Sequence, residues 1–167
     1  MSLLDILEYP DPRLRKIASE VDAFGPELQQ FCDDLLATMY EAPGIGLAAT
    51  QVDVHQRIIA VDVSENRNEP HIFVNPKLTL HGDLIDGEEG CLSVPGVYEP
   101  VQRAERITVN ARNPLGAEFT LEAEGLLAVC IQHECDHLVG KLFVDYLSNL
   151  KRNRIRKKLQ KQQKQRA

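Results

Sequence analysis

Residues 126–137 read LLAVCIQHECDH, an apolar run that leads directly into two histidines and a glutamate. On a helix with about 100° of rotation per residue, His133 and His137 lie within about 40° of each other, with Glu134 beside them. This is the H-E-x-x-H pattern, in which the histidines hold a metal ion and the glutamate moves a proton. Because residues 126–131 are apolar on every face, the pattern predicts a helix buried in the core, around which the fold is built.

A catalytic metal site of this kind usually has three protein ligands and one open position, so two histidines are not enough. The longer protease pattern H-E-x-x-H-x-x-G-x-x-H would place another histidine where this chain has Phe143. A glutamate further along is also missing, since Asp145 is the only carboxylate side chain after His137. The third ligand is therefore expected to come from upstream.

Four cysteines are candidates for that ligand: Cys32, Cys91, Cys130 and Cys135. Cys135 points about 200° away from the first histidine on the helix. Cys130 shares the histidine face but starts about 10 Å along the axis from His137. Cys32 falls on the apolar stripe of an earlier helix, which is typical of core packing. Elimination favours Cys91 without by itself settling the choice.

The composition is that of one globular domain, with 167 residues of which 43% are hydrophobic and 26% charged. Residues 1–13 contain three carboxylates and no long apolar run, so neither a signal peptide nor a membrane span is expected. Cysteines without paired spacings fit a reducing compartment. We therefore expect a cytoplasmic protein.

The mixture of helical and alternating segments predicts an α+β fold, for which we expect antiparallel β-sheets packed around the central metal-binding helix. Apolar residues at steps of three and four predict a helix over residues 26–41, with proline in its first turn. Strands are expected over residues 58–63, 71–80, 105–113 and 117–121, with turns at 81–83 and 113–116. Glu88 and Glu89 point to opposite faces of an extended segment, which indicates a structural role.

Residues 44–51 read GIGLAATQ, which superficially matches the dinucleotide pattern G-x-G-x-x-G/A. That pattern needs a strand before it and a helix after it, and the expected order here is the reverse. The segment is either an ordinary turn or a substrate wall in which Gly44, Ile45 and Gly46 let an extended peptide approach. In the second interpretation, Gln51 offers an amide N–H to a developing oxyanion.

An apolar stripe accompanies the histidines. Measured around the helix from His133, the side chains of Leu126, Val129 and Cys130 lie within about 60°. Together with Ile45, they could line a pocket for an unbranched apolar side chain, the alternative being plain core packing.

Three segments, GIGLAATQ at 44–51, EGCLS at 89–93 and HECDH at 133–137, resemble the signature motifs of the peptide deformylase family, in order and at similar separations. The resemblance covers nearly the whole chain and implies the peptide deformylase fold. It also implies a metal-dependent hydrolase that removes the N-formyl group from the N-terminal methionine of newly synthesised proteins and releases formate. N-formylmethionyl nascent peptides would then be the substrates.

The resemblance assigns roles to particular residues. Cys91, His133 and His137 would hold one divalent ion, Fe²⁺ by resemblance, although Zn²⁺, Ni²⁺ or Co²⁺ suit the same donors. Glu134 would take a proton from water and pass it to the leaving amine. The oxyanion would be stabilised by Gln51 and, by resemblance, by the backbone N–H of Leu92. The apolar pocket would hold the methionine side chain.

The last 20 residues, 148–167, contain 9 of the chain's 19 Lys and Arg residues and none of its 25 Asp and Glu residues. We expect a catalytic domain over 1–147 and a basic C-terminal helix over 148–167, capped by Ser148. This charge favours a polyanionic partner over a merely solvated helix, without sequence-specific nucleic-acid binding. Ile155 and Leu159 give too thin an apolar face for a membrane. By resemblance, the helix would dock on the ribosome.

Two alternatives remain at the level of sequence. A zinc endopeptidase is favoured by H-E-x-x-H alone and opposed by Phe143. A ribosome-binding module with a structural metal would require a closed site with four protein ligands. Asp136, about 60° from His133 on the far side, is expected to have a structural partner.

Overall fold

The sheet is antiparallel throughout. Within residues 2–166, the part of the chain that the computed structural model describes, five strands are ordered β1-β2-β3-β4-β5. The strands are β1 Gly46–Ala48, β2 Ile58–Val61, β3 His71–Cys91, β4 Val94–Arg112 and β5 Glu118–Glu124. The helices are α1 Pro26–Glu41, α2 Gly125–His137 and α3 Asn149–Arg166, with 3-10 turns at Pro12–Arg15, Ala49–Val52 and Phe143–Tyr146. The predicted α+β class is confirmed.

The long β3–β4 hairpin corrects one prediction. The prediction of a turn at 81–83 is wrong, because β3 continues through these residues and ends only at Cys91. The register shifts between His81 and Leu84, and Gly82 has a φ of +77°. Glycine in this left-handed conformation accommodates a β-bulge, so the strand bends rather than reverses. The extra length carries the Cys91 segment back to the central helix.

Helix α2 lies in the core as predicted, with one exception at its start. Ala128 and Ile131 are fully buried and belong to the same apolar cluster as Phe73 and Ile107 of the sheet. Leu126, in contrast, is 58% exposed, so the prediction of burial on every face is wrong for the first turn. The reason is that the helix begins directly where β5 ends. Burial is most complete from Cys130 to Glu134, where every residue is buried.

Helix α1 has the bounds that periodicity predicted, 26–41. Its buried stripe, which includes Cys32 and Leu35, packs in a second cluster with Ile58 of β2. A fully buried aliphatic side chain such as that of Leu35 contributes about 1.5–3 kcal/mol through burial. The helix delivers the chain into the segment 42–46, which borders the site described below.

The basic helix α3 is folded onto the body of the protein. Ser148 Oγ accepts a hydrogen bond from the backbone N–H of Lys151 at 3.2 Å, as expected of an N-cap. Ile155 and Leu159 are buried in a third apolar cluster. At the far end, Arg166 pairs with Glu8 at 2.6 Å. No helix within residues 2–166 is both long and apolar enough to cross a membrane.

Candidate metal centre

Two elements distant in sequence bring three ligand atoms together. Helix α2 supplies His133 and His137, and the end of β3 supplies Cys91, with the three ligand atoms all within 4.8 Å of one another. His137 Nε2 lies 3.3 Å from His133 Nε2 and 3.5 Å from Cys91 Sγ. Around a tetrahedral ion with metal–nitrogen bonds of about 2.0–2.1 Å and a metal–sulfur bond of about 2.3 Å, the expected separations are about 3.4 and 3.6 Å. The donor set therefore fits a single metal ion.

The hydrogen bonding of His133 supports the same fit. Its Nδ1 lies 2.8 Å from Glu89 Oε1, and a proton on Nδ1 leaves Nε2 with a free lone pair. That lone pair faces Nε2 of His137 in a buried setting. With His137 also presenting its Nε2 lone pair, the two nitrogens lie at the separation that one shared metal ion requires.

Glu134 lies against both imidazoles without taking a place in the three-residue cluster. Its carboxylate oxygens are 4.0 Å from His133 Nε2 and 3.9 Å from His137 Nε2. Burial raises the pKa of Glu134 to about 7, a value suited to a group that accepts and returns a proton near neutrality. A Cβ at Gly46 would lie 2.5 Å from Glu134 Oε2, so glycine there leaves room for the carboxylate.

The two predicted oxyanion donors flank Cys91. Gln51 is buried, its Oε1 accepts the Ala48 backbone N–H at 2.8 Å, and its Nε2 donates to Ser93 Oγ at 3.0 Å. Gln51 Nε2 also lies 3.4 Å from Cys91 Sγ, next to the metal ligands. Leu92 follows Cys91 directly and lines the adjacent cavity. Their proposed part in catalysis stays a prediction.

A cavity of about 740 Å³ opens onto this centre. Its lining includes several of the predicted residues, namely Gly44, Ile45, Gly46, Cys91, Leu92 and Glu134. The other three predicted pocket residues, Leu126, Val129 and Cys130, are not among the described residues that line it. Cys130 is buried and adjoins the lining, with its Sγ 3.7 Å from the Ile45 carbonyl oxygen. The assignment of these three residues to the substrate pocket stays a prediction.

A buried ionic network behind His133 is the feature that sequence reasoning missed. Glu89 accepts two hydrogen bonds from Arg103, at 2.8 and 2.9 Å, in addition to its contact with His133. Burial by itself would raise the pKa of Glu89, but the bonds from Arg103 and His133 outweigh it and hold that pKa below the usual value. The prediction that Glu88 and Glu89 point to opposite faces of the strand is confirmed, since Glu88 is exposed and Glu89 is buried. The role of Glu89 is to orient His133. Glu89 and Cys91 are two residues apart in an extended segment and so tend to share a face, which is the sequence signal that could have indicated this role.

The same arginine reaches the end of α2. Arg103 Nη1 donates to Asp136 Oδ2 at 2.6 Å, and the Tyr146 hydroxyl donates to the same oxygen at 2.8 Å. The expected structural partner of Asp136 is thus confirmed. Because one guanidinium binds carboxylates from β3 and α2, it holds the strand that bears Cys91 against the helix that bears the histidines.

Replacing Arg103 by alanine is expected to destabilise the fold by about 3–5 kcal/mol, because it leaves Glu89 charged and buried without its partner. Chemical denaturation of the purified variant measures this. Arg106→Ala is the matched control on the same strand, since Arg106 pairs with Glu105 only at 4.0 Å and the two side chains are 54% and 39% exposed. That exposed pair should contribute less than about 1 kcal/mol. Equal losses in the two variants would contradict the role assigned to the buried network.

The fold is an antiparallel sheet packed on a helix that bears H-E-x-x-H, and a strand adds the cysteine that completes the ligand set. This combination defines a class of α+β proteins with a site for a single metal ion. The family model described as polypeptide deformylase matches residues 3–153. The chain belongs to the polypeptide deformylase family and is an enzyme.

Individual relatives are similar over their whole length. The peptide deformylases of Hahella chejuensis and Pseudomonas aeruginosa are 60% and 59% identical over 168 residues, covering 100% of this chain and of each relative. A crystal structure of a peptide deformylase from Legionella pneumophila has a TM-score of 0.93 at 47% identity, covering 99% of this chain and 98% of that one. The Ehrlichia chaffeensis enzyme in complex with actinonin has a TM-score of 0.93 at 38% identity, covering 97% and 98%. The predicted family and fold are confirmed.

Proposed function

We propose that this enzyme removes the N-formyl group from the N-terminal methionine of newly synthesised proteins and releases formate. The observation that carries the proposal is the convergence of Cys91, His133 and His137 beside Glu134 at one end of a peptide-sized cavity. Membership of the polypeptide deformylase family supports the same reaction.

Cys91, His133 and His137 would hold one divalent ion, for which we propose Fe²⁺. When bound, the ion supplies Lewis acidity that activates a water molecule for attack on an amide carbonyl. Zn²⁺, Ni²⁺ or Co²⁺ suit one thiolate and two imidazoles as well, so purified protein can carry any of them. A ferrous thiolate site is sensitive to oxidation.

The remaining residues act directly on the peptide. Glu134 accepts the proton of the attacking water and returns it to the leaving amine as the formyl C–N bond breaks. The Gln51 side-chain amide and the Leu92 backbone N–H donate to the developing oxyanion. Gly44, Ile45 and Gly46 form a wall for the peptide backbone. Leu126, Val129 and Cys130 complete the methionine pocket on the α2 side.

The test is formate release from a formylmethionyl tripeptide by protein prepared without oxygen, with metal analysis of the same sample. We expect formate and a free amino terminus in equal amounts, with about one metal ion per chain. An N-acetylated peptide, which has no formyl group but contains internal peptide bonds, serves as the comparison. Internal cleavage without formate would overturn the proposal in favour of an endopeptidase.

We further propose that residues 1–147 form the catalytic part and that the basic helix, residues 148–167, associates with the ribosome in the cytoplasm. The exposed face of α3 is strongly basic and includes Arg154, Arg156, Lys157, Lys158, Lys161 and Lys164. Such a face suits the phosphate backbone of ribosomal RNA.

Changing Arg156, Lys157 and Lys161 to glutamate is expected to abolish co-sedimentation with ribosomes at low salt, since charge reversal replaces attraction by repulsion. Formate release from a tripeptide should be unchanged. This variant is preferable to truncation, because Ile155 and Leu159 are buried against the body.

The matched control makes the same charge change elsewhere, at the exposed residues Lys16, Lys77 and Arg106. It should sediment with ribosomes nearly as the unmodified protein does. Equal loss in both variants would show that net charge, rather than α3, governs the association.

A further inference from the structure

The segment 42–46, called here the glycine wall, lines the cavity next to Leu92, since a Cβ at Gly44 would lie 2.6 Å from Leu92 Cδ1. It joins α1 to β1, and all five of its residues line the cavity. Gly44 and Gly46 have little conformational preference of their own, and Ile45 is 41% exposed. The shape of the glycine wall must therefore be imposed by contacts from elsewhere in the fold.

On the N–H side, Gly44 donates to the Met39 carbonyl of α1 at 2.7 Å. The carbonyls of Gly44 and Ile45 are contacted from the loop that follows β2. The Ile45 carbonyl accepts the backbone N–H of Asp62 at 2.8 Å, which extends the β1–β2 ladder by one residue pair. The next carbonyl back, that of Gly44, accepts a hydrogen bond from the Arg67 guanidinium. Two consecutive carbonyls of the glycine wall thus accept hydrogen bonds from this loop, one from a backbone N–H and one from a side chain.

Arg67 is itself held in place. Its φ of 57° lies in the left-handed region that residues other than glycine rarely adopt. Its guanidinium carbon lies 5.1 Å from the centre of the Tyr40 ring, a cation–π distance. A contact of this kind stabilises an unusual backbone conformation that would otherwise relax.

The Tyr40 ring is fixed in turn by a buried carboxylate. Asp62 is fully buried and accepts the Tyr40 hydroxyl at 2.6 Å, the Ser64 N–H at 2.9 Å and the Glu69 N–H at 3.2 Å. These bonds tie both ends of the loop 62–69 to α1. The loop that presents Arg67 is therefore anchored independently of the cavity.

We propose that Arg67 is a positioning residue for the substrate: by holding the Gly44 carbonyl, it fixes the glycine wall in the shape that an extended peptide requires. Arg67 touches no reacting atom and no metal ligand. This inference rests on the proposed function, because it takes the cavity as the peptide site. Without Arg67, the wall must be ordered at each binding event, and that ordering cost weakens binding.

Arg67→Ala is expected to raise KM for a formylmethionyl tripeptide about 10-fold, since a hydrogen bond from a charged group is lost. The value of kcat should stay within about twofold and the metal content should not change, because the chemistry is untouched. Arg67→Lys should recover part of the loss, since an ammonium group can donate to Gly44 but cannot stack as a plane on Tyr40. Arg106→Ala, which removes an exposed arginine from β4, should match the unmodified enzyme.

Binding of actinonin, measured by calorimetry, gives a readout that does not depend on turnover, and Arg67→Ala should weaken it by a similar factor. An unchanged KM and an unchanged actinonin affinity would overturn the proposal, as would a fall in kcat that follows loss of metal. If unmodified enzyme released no formate, the proposed function would fail, and actinonin affinity alone would decide the role of Arg67. If Arg67→Ala does not fold, Tyr40→Phe gives the same test with a smaller rise in KM.

Discussion

Glu134→Gln is expected to lower kcat for formate release by about 10²–10⁴-fold while the metal content stays unchanged. Glutamine keeps the shape and polarity of the side chain but cannot accept a proton from water. Metal binding should persist, because the three-residue ligand cluster consists of Cys91, His133 and His137. Formate release and metal analysis on one preparation measure both quantities.

Glu124→Gln is the matched control for this variant, because Glu124 lies at the start of the same helix, is exposed and makes no capping hydrogen bond. It removes the same charge and should leave kcat unchanged. If Glu134→Gln kept more than about a tenth of the activity, Glu134 would not be the general base.

Cys91→Ala is expected to reduce the metal content far below one ion per chain and to lower activity by at least 100-fold. Changing a residue that only supports a metal ligand costs about 10–100-fold in metal affinity or activity, so loss of a ligand itself should reach at least the upper end of that range. Only two imidazoles would remain, and a site with two protein ligands holds a divalent ion weakly. Elemental analysis after dialysis against a mild chelator measures the loss.

Cys135→Ala provides the control, since Cys135 is also a free cysteine but packs against the apolar cluster that α2 forms with the sheet. A small loss of stability is expected there, with the metal retained. A Cys91→Ala variant that kept its metal would show that the thiolate is not a ligand, and the catalytic proposal would then fail with it.

The local features of the chain could be predicted from sequence because they depend on neighbouring residues. The bounds of α1 follow from apolar spacing, and the cap at Ser148 follows from side-chain chemistry. The pairing of His133 with His137 is likewise a property of one helix. The prediction of a turn at 81–83 was wrong for a related reason. Gly82 permits either a chain reversal or a β-bulge, and only the partner strand decides between them.

The sequence by itself determined the class of fold, the two imidazoles with their carboxylate, and the separation of basic and acidic charge. Only the tertiary structure decided that Cys91 meets the histidines, that Arg103 and Glu89 hold His133, and that Arg67 supports the glycine wall. These contacts join residues far apart in the chain, and their geometry is set by how the bent β3–β4 hairpin packs on α2. Periodicity reports which face of an element is apolar, but it carries no information on which distant element will cover that face.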